Sequence, residues 1–378
     1  MQRIVMIGRT ITRYSWMLLL TIAVASCVND DDGDDPEVNF DQGAMLTTIG
    51  NNVIVPSFET LNNEAATLET EVSAFVGSPT ESGLASVRAQ YIKADKAWQR
   101  CAAFNFGPSA TFATQSVLNT WPTNPTKIED NITNGGYNLQ TSSNLTASGF
   151  PALDYLLYGS AADEAAIVNR FSQEQALKDY LVDVVDIIVS VSGTTYDGWL
   201  ASSSTNYLET FVQTTGTDIG SSIGLMVNEF SKEIELVKNA RVGIPLGKKS
   251  LNVTRPDQVE ALYSGMSVEF SVENMKGLKA LFMGLGETSS TANGLFNYLE
   301  AINAQEGDGL LSNAIRDQFD LIDTRLNDIQ GNLFDAVDND FATVDAAYTE
   351  IQRLVVLVKT DMTSAMGVQI TYQDNDGD

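Results

Sequence analysis

GFPALDYLLYG, residues 149–159, is a short apolar segment bounded by glycines, with a proline near its start and one carboxylate, Asp154, in its middle. Loop-rich polar sequence precedes it, and an amphipathic helical pattern follows it. Ser148 or Gly149 can cap a helix here, and Pro151 suits the first turn, where its missing N–H is not needed for a helical hydrogen bond. We therefore expect a helix to begin within this segment.

Asp154 has two interpretations. If Phe150, Leu153 and Leu156 bury it, its pKa rises and it can serve as an acid, a base or a ligand. If it lies in the first helical turn, free N–H groups and the helix dipole stabilise the carboxylate, and its role is structural. Pro151 lies three residues earlier and so shares its face of the helix.

The rest of the chain has a helical hydrophobic period. Between residues 45 and 76, apolar side chains recur at spacings of four and three, as they do between residues 83 and 104. Helical patterns also cover residues 173–191, 223–240, 257–283, 291–303, 310–330 and 341–366. Such narrow stripes are typical of bundle helices. We predict an all-α fold, with short extended pieces at most near residues 53–55 or 367–372.

We predict four parts along the chain. Residues 1–26 form a lipoprotein signal peptide, and residues 27–42 form an acidic tether. Residues 43–214 and 215–378 form two helical-bundle domains, each resembling a four-helix bundle. The boundary is placed at the end of a section rich in Gly, Ser and Thr, residues 192–217.

The first residues resemble a bacterial export signal. Three arginines precede an apolar run over residues 16–25, and this run leads into the sequence Val-Ala-Ser-Cys at residues 24–27. The run is too short to span a bilayer, and the four residues have the form of a lipobox. This pattern predicts a lipid anchor on Cys27 and an outer-membrane lipoprotein on the periplasmic or the surface side. The alternative is an ordinary signal peptide with an incidental cysteine.

Charge and composition exclude several classes of function. The chain carries a net charge of −27, and removing residues 1–26 takes away three arginines and no acid, which makes it −30. Such a surface disfavours nucleic acid as a partner. The chain has no histidine, which excludes Ser-His and Cys-His catalysis and every metal site with a His ligand. Cys101 has no disulfide partner once Cys27 is lipidated, so we expect it to be a small core residue.

Residues 149–159 resemble the signature of the imelysin family, which includes insulin-cleaving membrane proteases and iron-regulated envelope proteins. That signature has a glycine, any residue, a histidine, two residues and a glutamate, followed by Tyr-Leu-Leu-aromatic-Gly. Here Pro151 stands in place of the histidine and Asp154 in place of the glutamate, and the run from Tyr155 to Gly159 is retained.

The resemblance extends from about residue 43 to the end of the chain. Ala97-Trp98 and Trp121-Pro122 match upstream segments, and Arg241, Glu260 and Ser264 follow the family's order in the second half. It implies two bundle domains with the signature near their interface. The expected pocket residues are Asp154, Pro151, Tyr155, Trp98, Trp121, Arg241, Glu260 and Ser264. The alternatives are that the two tryptophans are core anchors and that the charged residues only pair with one another.

The resemblance also implies a role in bacterial iron acquisition, with iron-transport components as partners. Pro151 offers neither a lone pair nor a proton, and Asp154 reaches one methylene less far than glutamate. We therefore expect a binding lipoprotein that is not a peptidase, with an iron complex, a metal or a peptide as ligand. Iron or another divalent cation could be held through carboxylates alone. The alternatives are a hydrolase or metallopeptidase that uses Asp154 and Glu260, and a structural surface protein whose signature is a packing motif.

Overall fold

A computed structural model describes residues 40–200, 206–287 and 289–372. The helices are α1 (Gln42–Ile49), α2 (Val55–Gly77), α3 (Glu81–Cys101), α4 (Pro108–Thr111), α5 (Thr114–Leu118), α6 (Pro125–Asn134), α7 (Gly149–Asp154), α8 (Glu164–Gln173), α9 (Gln175–Trp199), α10 (Tyr207–Gln213), α11 (Ser222–Leu236), α12 (Ser267–Met283), α13 (Leu295–Ala301), α14 (Leu311–Asp328), α15 (Leu333–Asn339), α16 (Phe341–Val356) and α17 (Thr363–Met366). The strands described are β1 (Gln305–Glu306) and β2 (Gly309–Leu310), which form one antiparallel pair. The predicted all-α fold is confirmed.

Several helices are extended or interrupted by turns of other types. The π-helical segments are Gly50–Ile54, Tyr155–Gly159, Val237–Gly243 and Leu357–Met362, and the 3₁₀ segments are Ala102–Phe104, Ser142–Ala147 and Pro256–Gln258. Two of the π-helical segments lie where the expected site residues are. One follows Asp154 directly, and another contains Arg241. Single π turns inside longer helices are frequent at functional sites.

The hydrophobic stripes of α2 and α3 face a common core. The predicted stripe of α2 is buried throughout, as is that of α3, which ends at Cys101. α2 packs against α3 and α9 to form the first group of long helices, while α14 packs against α12 and α16 in the second. Cys101 is fully buried as a free thiol. It is therefore a small core residue, as expected.

Helices α3 and α12 join the first half of the chain to the second. They approach closely at Gly277, where an added Cβ would lie 2.7 Å from the carbonyl oxygen of Arg100. The described residues belong to one compact unit. The division of this unit into bundles at residue 214 stays a prediction.

The structure differs from the expected pattern in three places. Helix α9 continues through residues 192–199, although this section is rich in Gly, Ser and Thr. Residues 53–55 are helical rather than extended. Residues 259–266, expected within a helix that starts at residue 257, form a chain of turns before α12. In this last segment, tertiary contacts described below override the local periodicity.

Residues 1–39 lie outside the described residues, and so do the predicted signal peptide, Cys27 and most of the acidic tether. Within the described ranges, no helix is both long enough and apolar enough to cross a membrane.

Candidate functional site

The segment of residues 149–159 begins with a close backbone contact. Gly149 has φ +69°, and an added Cβ would lie 2.3 Å from the carbonyl oxygen of Leu118. Only glycine combines this conformation with such a close approach. Pro151 is the third residue of α7, where its missing N–H costs no helical hydrogen bond. The predicted helix start is therefore present, and it is buried against the end of α5.

Asp154 is not in the first turn of its helix, contrary to one of the two interpretations given above. It is the last residue of α7, and its side chain is 2% exposed. Its Oδ2 accepts a hydrogen bond from the backbone N–H of Tyr263 at 2.8 Å, and its Oδ1 accepts one from that of Ser264 at 2.9 Å. The Tyr91 hydroxyl lies 3.4 Å from Oδ1. The carboxylate is therefore stabilised by the other half of the chain.

The turn segment of residues 259–266 is shaped to present these N–H groups. Ala261 has φ +50° and Gly265 has φ +74°, so the backbone bends on both sides of residues 263 and 264. Consecutive N–H groups in such a bend form a concave site for an anion. Gly159 packs against the Tyr263 ring, and an added Cβ there would lie 2.2 Å from a ring carbon. Both ends of the 149–159 segment are thus fitted to backbone or ring atoms of other segments.

The environment of Asp154 has opposing effects on its ionisation. Burial raises the pKa of Asp154, while hydrogen bonds from Ser264 and Tyr263 lower it. A small cavity of about 220 Å³ beside it is lined by Pro151, Trp121 and Tyr263 among others. The two backbone N–H groups and the Tyr91 hydroxyl occupy three of the roughly four lone-pair positions of the Asp154 carboxylate, so at most one is left to act as a general base on this cavity.

A second buried cluster lies around Arg241 and Glu260. These side chains form an ion pair in which they are 2% and 3% exposed. The other oxygen of Glu260 accepts from Gln99 Nε2 at 3.0 Å and from Asn119 Nδ2 at 2.7 Å. The Arg241 guanidinium also lies over the Trp121 ring, 5.1 Å from its centroid. Because both charges are removed from water, the pair depends on this complete set of partners.

Further buried carboxylates surround the ion pair. Glu233 Oε1 lies 3.7 Å from Arg241 Nη2 and accepts from Asn274 Nδ2 at 2.7 Å. Asp95 Oδ1 accepts from Gln99 Nε2 at 2.9 Å. Burial raises the pKa of Asp95 to about 7, although the hydrogen bond from Gln99 and the charge of Arg241 oppose the shift. Burial raises the pKa of Glu233 as well.

A cavity of about 350 Å³, which we call the central pocket, opens beside this cluster. Its walls come from both halves of the chain and include Trp98, Gln115, Asn119, Trp121, Arg241 and Gln258. Trp98 is almost completely buried, whereas Trp121 is half-buried and faces both cavities. The two tryptophans are therefore pocket walls as well as packing residues.

The predicted site residues do not all meet at one point. Trp98, Trp121 and Arg241 line the central pocket and Glu260 pairs with Arg241, whereas Asp154 and Pro151 line the smaller cavity. The Tyr155 hydroxyl points elsewhere and donates to Glu129 at 2.7 Å.

Sequence reasoning missed four of the buried polar residues that complete the cluster, namely Asp95, Gln99, Asn119 and Glu233. A signal existed for two of them, because Asp95 and Gln99 are four residues apart and flank the stripe residue Trp98.

The residues present do not fit a resident metal held by carboxylates alone. In the described ranges, no group of three or more Asp, Glu, Cys or His side chains has the arrangement of a metal site. Glu260 uses both oxygens on Gln99, Asn119 and Arg241, and Asp154 uses both on backbone N–H groups. A hard cation would have to compete with these hydrogen-bond donors for the carboxylate oxygens. Among residues 40–200, 206–287 and 289–372, the suggested iron or divalent-cation site therefore lacks the set of ligands that it would need.

Comparison with known proteins places this arrangement in a family. The imelysin family model, which describes a group of peptidases, matches residues 54–359. This chain belongs to the imelysin family. The match includes the 149–159 signature, Arg241 and Glu260, so the predicted resemblance is confirmed.

Two solved structures resemble this one. A chain named as an iron-regulated protein A precursor, from Parabacteroides distasonis, is 18% identical with a TM-score of 0.72; the match covers 86% of this chain and 95% of the other. An imelysin-like protein from Psychrobacter arcticum is 17% identical with a TM-score of 0.62, covering 88% and 97%. At these identities the likeness establishes the fold alone. No curated protein matches the chain.

Proposed function

We propose that this imelysin-family chain is a binding protein of the bacterial cell envelope that acts in iron acquisition and is not a peptidase. The observation that carries the proposal is the central pocket, whose walls combine two tryptophans with Asn119 and Arg241 at the meeting of the two halves. Pockets of this size and mixed lining are typical of sites for small organic ligands. The name of one structural relative, an iron-regulated protein A precursor, supports the iron part of the proposal.

The chemistry of the 149–159 segment argues against peptidase activity. Pro151 replaces the signature histidine, and the chain contains no other histidine that could act as base or ligand. A hydrolase that relied on Asp154 and Glu260 would need one of them to accept a proton from water in competition with the hydrogen-bond donors that already contact both of its oxygens. Binding is therefore the better interpretation of these side chains.

The proposed place of action follows from the N-terminal sequence. We place the mature protein on the outer membrane, anchored through lipid on Cys27, with iron-transport components as partners and nucleic acid excluded by its acidic charge. The tether after Cys27 contains six acidic residues within ten positions, which favours a solvated spacer between membrane and fold. Metabolic labelling with a fatty acid, compared between the natural chain and Cys27→Ser, tests the anchor.

The function is tested by equilibrium dialysis of the mature protein against ferrous ion, ferric citrate and a neutral ferric hydroxamate chelate. We expect at least one chelate to bind and no hydrolysis of a peptide library. Cleavage of peptides that is lost in Asp154→Ala would overturn the non-peptidase assignment. If no iron compound binds, the iron role is wrong.

A further inference from the structure

The turn segment of residues 259–266 also lines a second, larger cavity. Its volume is about 560 Å³, against about 350 Å³ for the central pocket. Tyr263 lines the small cavity beside Asp154, whereas residues 264–266 line this one together with α3, α12 and the chain around the end of α14. The described lining residues of this cavity and of the central pocket do not overlap, so the two are separate sites. We call the larger one the α3–α12 pocket.

Four charged side chains line the α3–α12 pocket. Lys96 comes from α3, and Glu269, Glu273 and Lys276 come from α12. The spacings of four and three residues place the three α12 side chains on one face of the helix. The four charges sum to zero, although the whole chain carries a net charge of −27. The pocket is therefore a locally neutral region that holds charges of both signs.

Two of these charges are matched within the fold. Glu273 Oε1 accepts a hydrogen bond from Lys276 Nζ at 2.9 Å, and Glu273 Oε2 accepts one from Arg100 Nε at 2.8 Å. Lys276 lies three residues after Glu273 on α12, where side chains of opposite charge are neighbours. Neither Glu273 nor Lys276 needs a ligand to balance its charge.

The other two charges, on Lys96 and Glu269, are unmatched. Neither side chain forms an ion pair or a hydrogen bond with the part of the chain that the structure describes. Lys96 is half-buried and Glu269 is exposed, so both side chains are accessible at the wall of the cavity. A positive and a negative group from two different helices thus line one cavity without pairing with each other.

We propose that the α3–α12 pocket binds a small zwitterion, either an aliphatic amino acid or a short peptide, through its free ammonium and its free carboxylate. The ligand's carboxylate pairs with the Lys96 ammonium, and the ligand's ammonium pairs with the Glu269 carboxylate. Hydrogen bonds between groups of opposite charge are stronger than neutral ones. The proposal concerns a second site and does not rest on the iron role of the central pocket.

The charges of the pocket disfavour a ligand that carries charge of one sign. An anion pairs with Lys96, but it shares the cavity with Glu269 and meets the field of a strongly acidic chain. A cation pairs with Glu269, but it shares the cavity with Lys96 and Lys276. A zwitterion places an opposite charge at both unmatched groups, and such complementarity is what gives binding sites their specificity.

The remaining walls suit an aliphatic side chain. Apolar surface comes from four unbranched or branched aliphatic residues, namely Met266, Val268, Val272 and Ile329. None of the described lining residues carries an aromatic ring, and the amides of Asn327 and Gln330 complete the wall. The volume lies within the range of sites for small molecules. The pocket therefore combines an apolar wall with one unmatched charge of each sign.

The test is isothermal titration of the mature protein with four leucine derivatives. Leucine and the dipeptide Leu-Leu are zwitterions, whereas N-acetylleucine lacks the ammonium and leucinamide lacks the carboxylate. We expect at least one zwitterion to bind, and both blocked derivatives to bind at least tenfold more weakly. The zwitterion that binds more tightly distinguishes a free amino acid from a peptide as the ligand. A blocked derivative that binds as tightly as the better zwitterion would overturn the proposal, and so would a failure of both zwitterions to bind.

Matched variants locate the binding. Lys96→Met removes the ammonium and keeps most of the side chain, and Glu269→Gln removes the carboxylate charge. Each should weaken binding of the zwitterion about tenfold or more, the value of one charged hydrogen bond. The controls are Lys93→Met, about one turn earlier on α3, and Glu300→Gln on α13; both residues are exposed and lie outside the pocket, so affinity should not change. Equal losses in variants and controls would overturn the proposal.

The outcomes separate this proposal from the iron role. If ferric citrate or a ferric hydroxamate binds while leucine and Leu-Leu do not, the proposal is wrong and the iron role stands. If a zwitterion binds, is weakened by Lys96→Met, and no iron compound binds, the proposal is supported and the iron role is wrong. A zwitterion that binds equally well to the natural protein and to Lys96→Met occupies another site, which would overturn the proposal.

Discussion

Arg241 and Glu260 form an ion pair whose two side chains are 2% and 3% exposed. Arg241 comes from a π-helical segment that continues α11, and Glu260 comes from the turns that precede α12. Their pairing holds the turn segment against the helix, and Arg241 also lines the central pocket. The ion pair therefore contributes both to the stability of the fold and to the wall of the central pocket.

Breaking this pair should be costly. Arg241→Met leaves the Glu260 carboxylate buried without its counter-ion, and we expect a loss of about 3–5 kcal/mol in the free energy of unfolding. The double variant Arg241→Met/Glu260→Gln removes the stranded charge and should recover part of that loss. Urea unfolding measures both. Arg316→Met, which removes an exposed ion pair with Asp317, is the control and should cost under about 1 kcal/mol.

Asp154→Asn tests the role of the carboxylate as a connection between the two halves. An asparagine can accept from only one of the two N–H groups, of Tyr263 and Ser264, and turns its own NH₂ toward the other. We expect a loss of about 1–3 kcal/mol, measured by urea unfolding. Asp308→Asn, in the exposed hairpin turn, is the matched control. A variant as stable as the natural protein would contradict the structural role.

Gly159→Ala tests the fit of the signature's last glycine. The added methyl would lie 2.2 Å from a carbon of the Tyr263 ring and must displace it. We expect a loss of about 1–3 kcal/mol in stability, from overpacking. Gly77→Ala is the control, because nothing lies within 4 Å of the added atom at the end of α2. If Gly159→Ala had the same melting temperature as the natural protein, the Tyr263 ring could move aside at no cost in stability.

The ionisation of Asp95 predicts a dependence of stability on pH. Its pKa is raised from 3.8 to about 7 by burial, so between these values the folded state binds more protons than the unfolded state. The stability that comes from protonated Asp95 is complete below about pH 4 and is lost as the pH rises through about 7.

The variant Asp95→Asn isolates this effect. It keeps an acceptor for Gln99 and cannot ionise. We therefore expect its stability relative to the natural protein to increase from pH 5 to pH 8, as measured by urea unfolding at each pH. Asp308→Asn should show no such change. A constant difference between Asp95→Asn and the natural protein would mean that Asp95 is ionised throughout.

Burial also makes Cys101 unreactive. Desolvation raises the pKa of its thiol well above the usual range, so little thiolate forms at neutral pH. In a chain carrying Cys27→Ser, which leaves Cys101 as its one thiol, we expect an alkylating reagent to label the denatured protein and not the folded one. Rapid labelling under native conditions would show that the core at the end of α3 opens readily.

The helices of the core could be predicted from the sequence because their signal is local. The stripe from Leu61 to Phe75 repeats at helical spacing and is buried throughout. The 259–266 segment has a similar apolar pattern but forms turns, since its conformation is set by contacts with Asp154 and Arg241, which lie far away in the sequence. Periodicity carries no information about such partners.

The candidate site was predictable in part. Trp98, Trp121 and Arg241 line one pocket, and Glu260 pairs with Arg241 beside it. The hydrophobic period of α3 could not separate the pocket residue Trp98 from the core residue Cys101, because both lie on the same apolar stripe. Asp95 and Gln99 were missed because a polar residue beside an apolar stripe is normally solvated. Whether such a residue is buried depends on what packs over it, and in this chain that is the turn segment before α12.

The two backbone hydrogen bonds to Asp154 have a consequence for how this family is recognised. The carboxylate and the glycines at either end of 149–159 are held by contacts within the fold, and these contacts do not depend on the residue at position 151. Most of the signature can therefore be required for folding in a chain that does not cleave peptides. A sequence search based on these residues will find chains that share this structural contact. Their chemistry has to be determined from the residue at the histidine position of the signature.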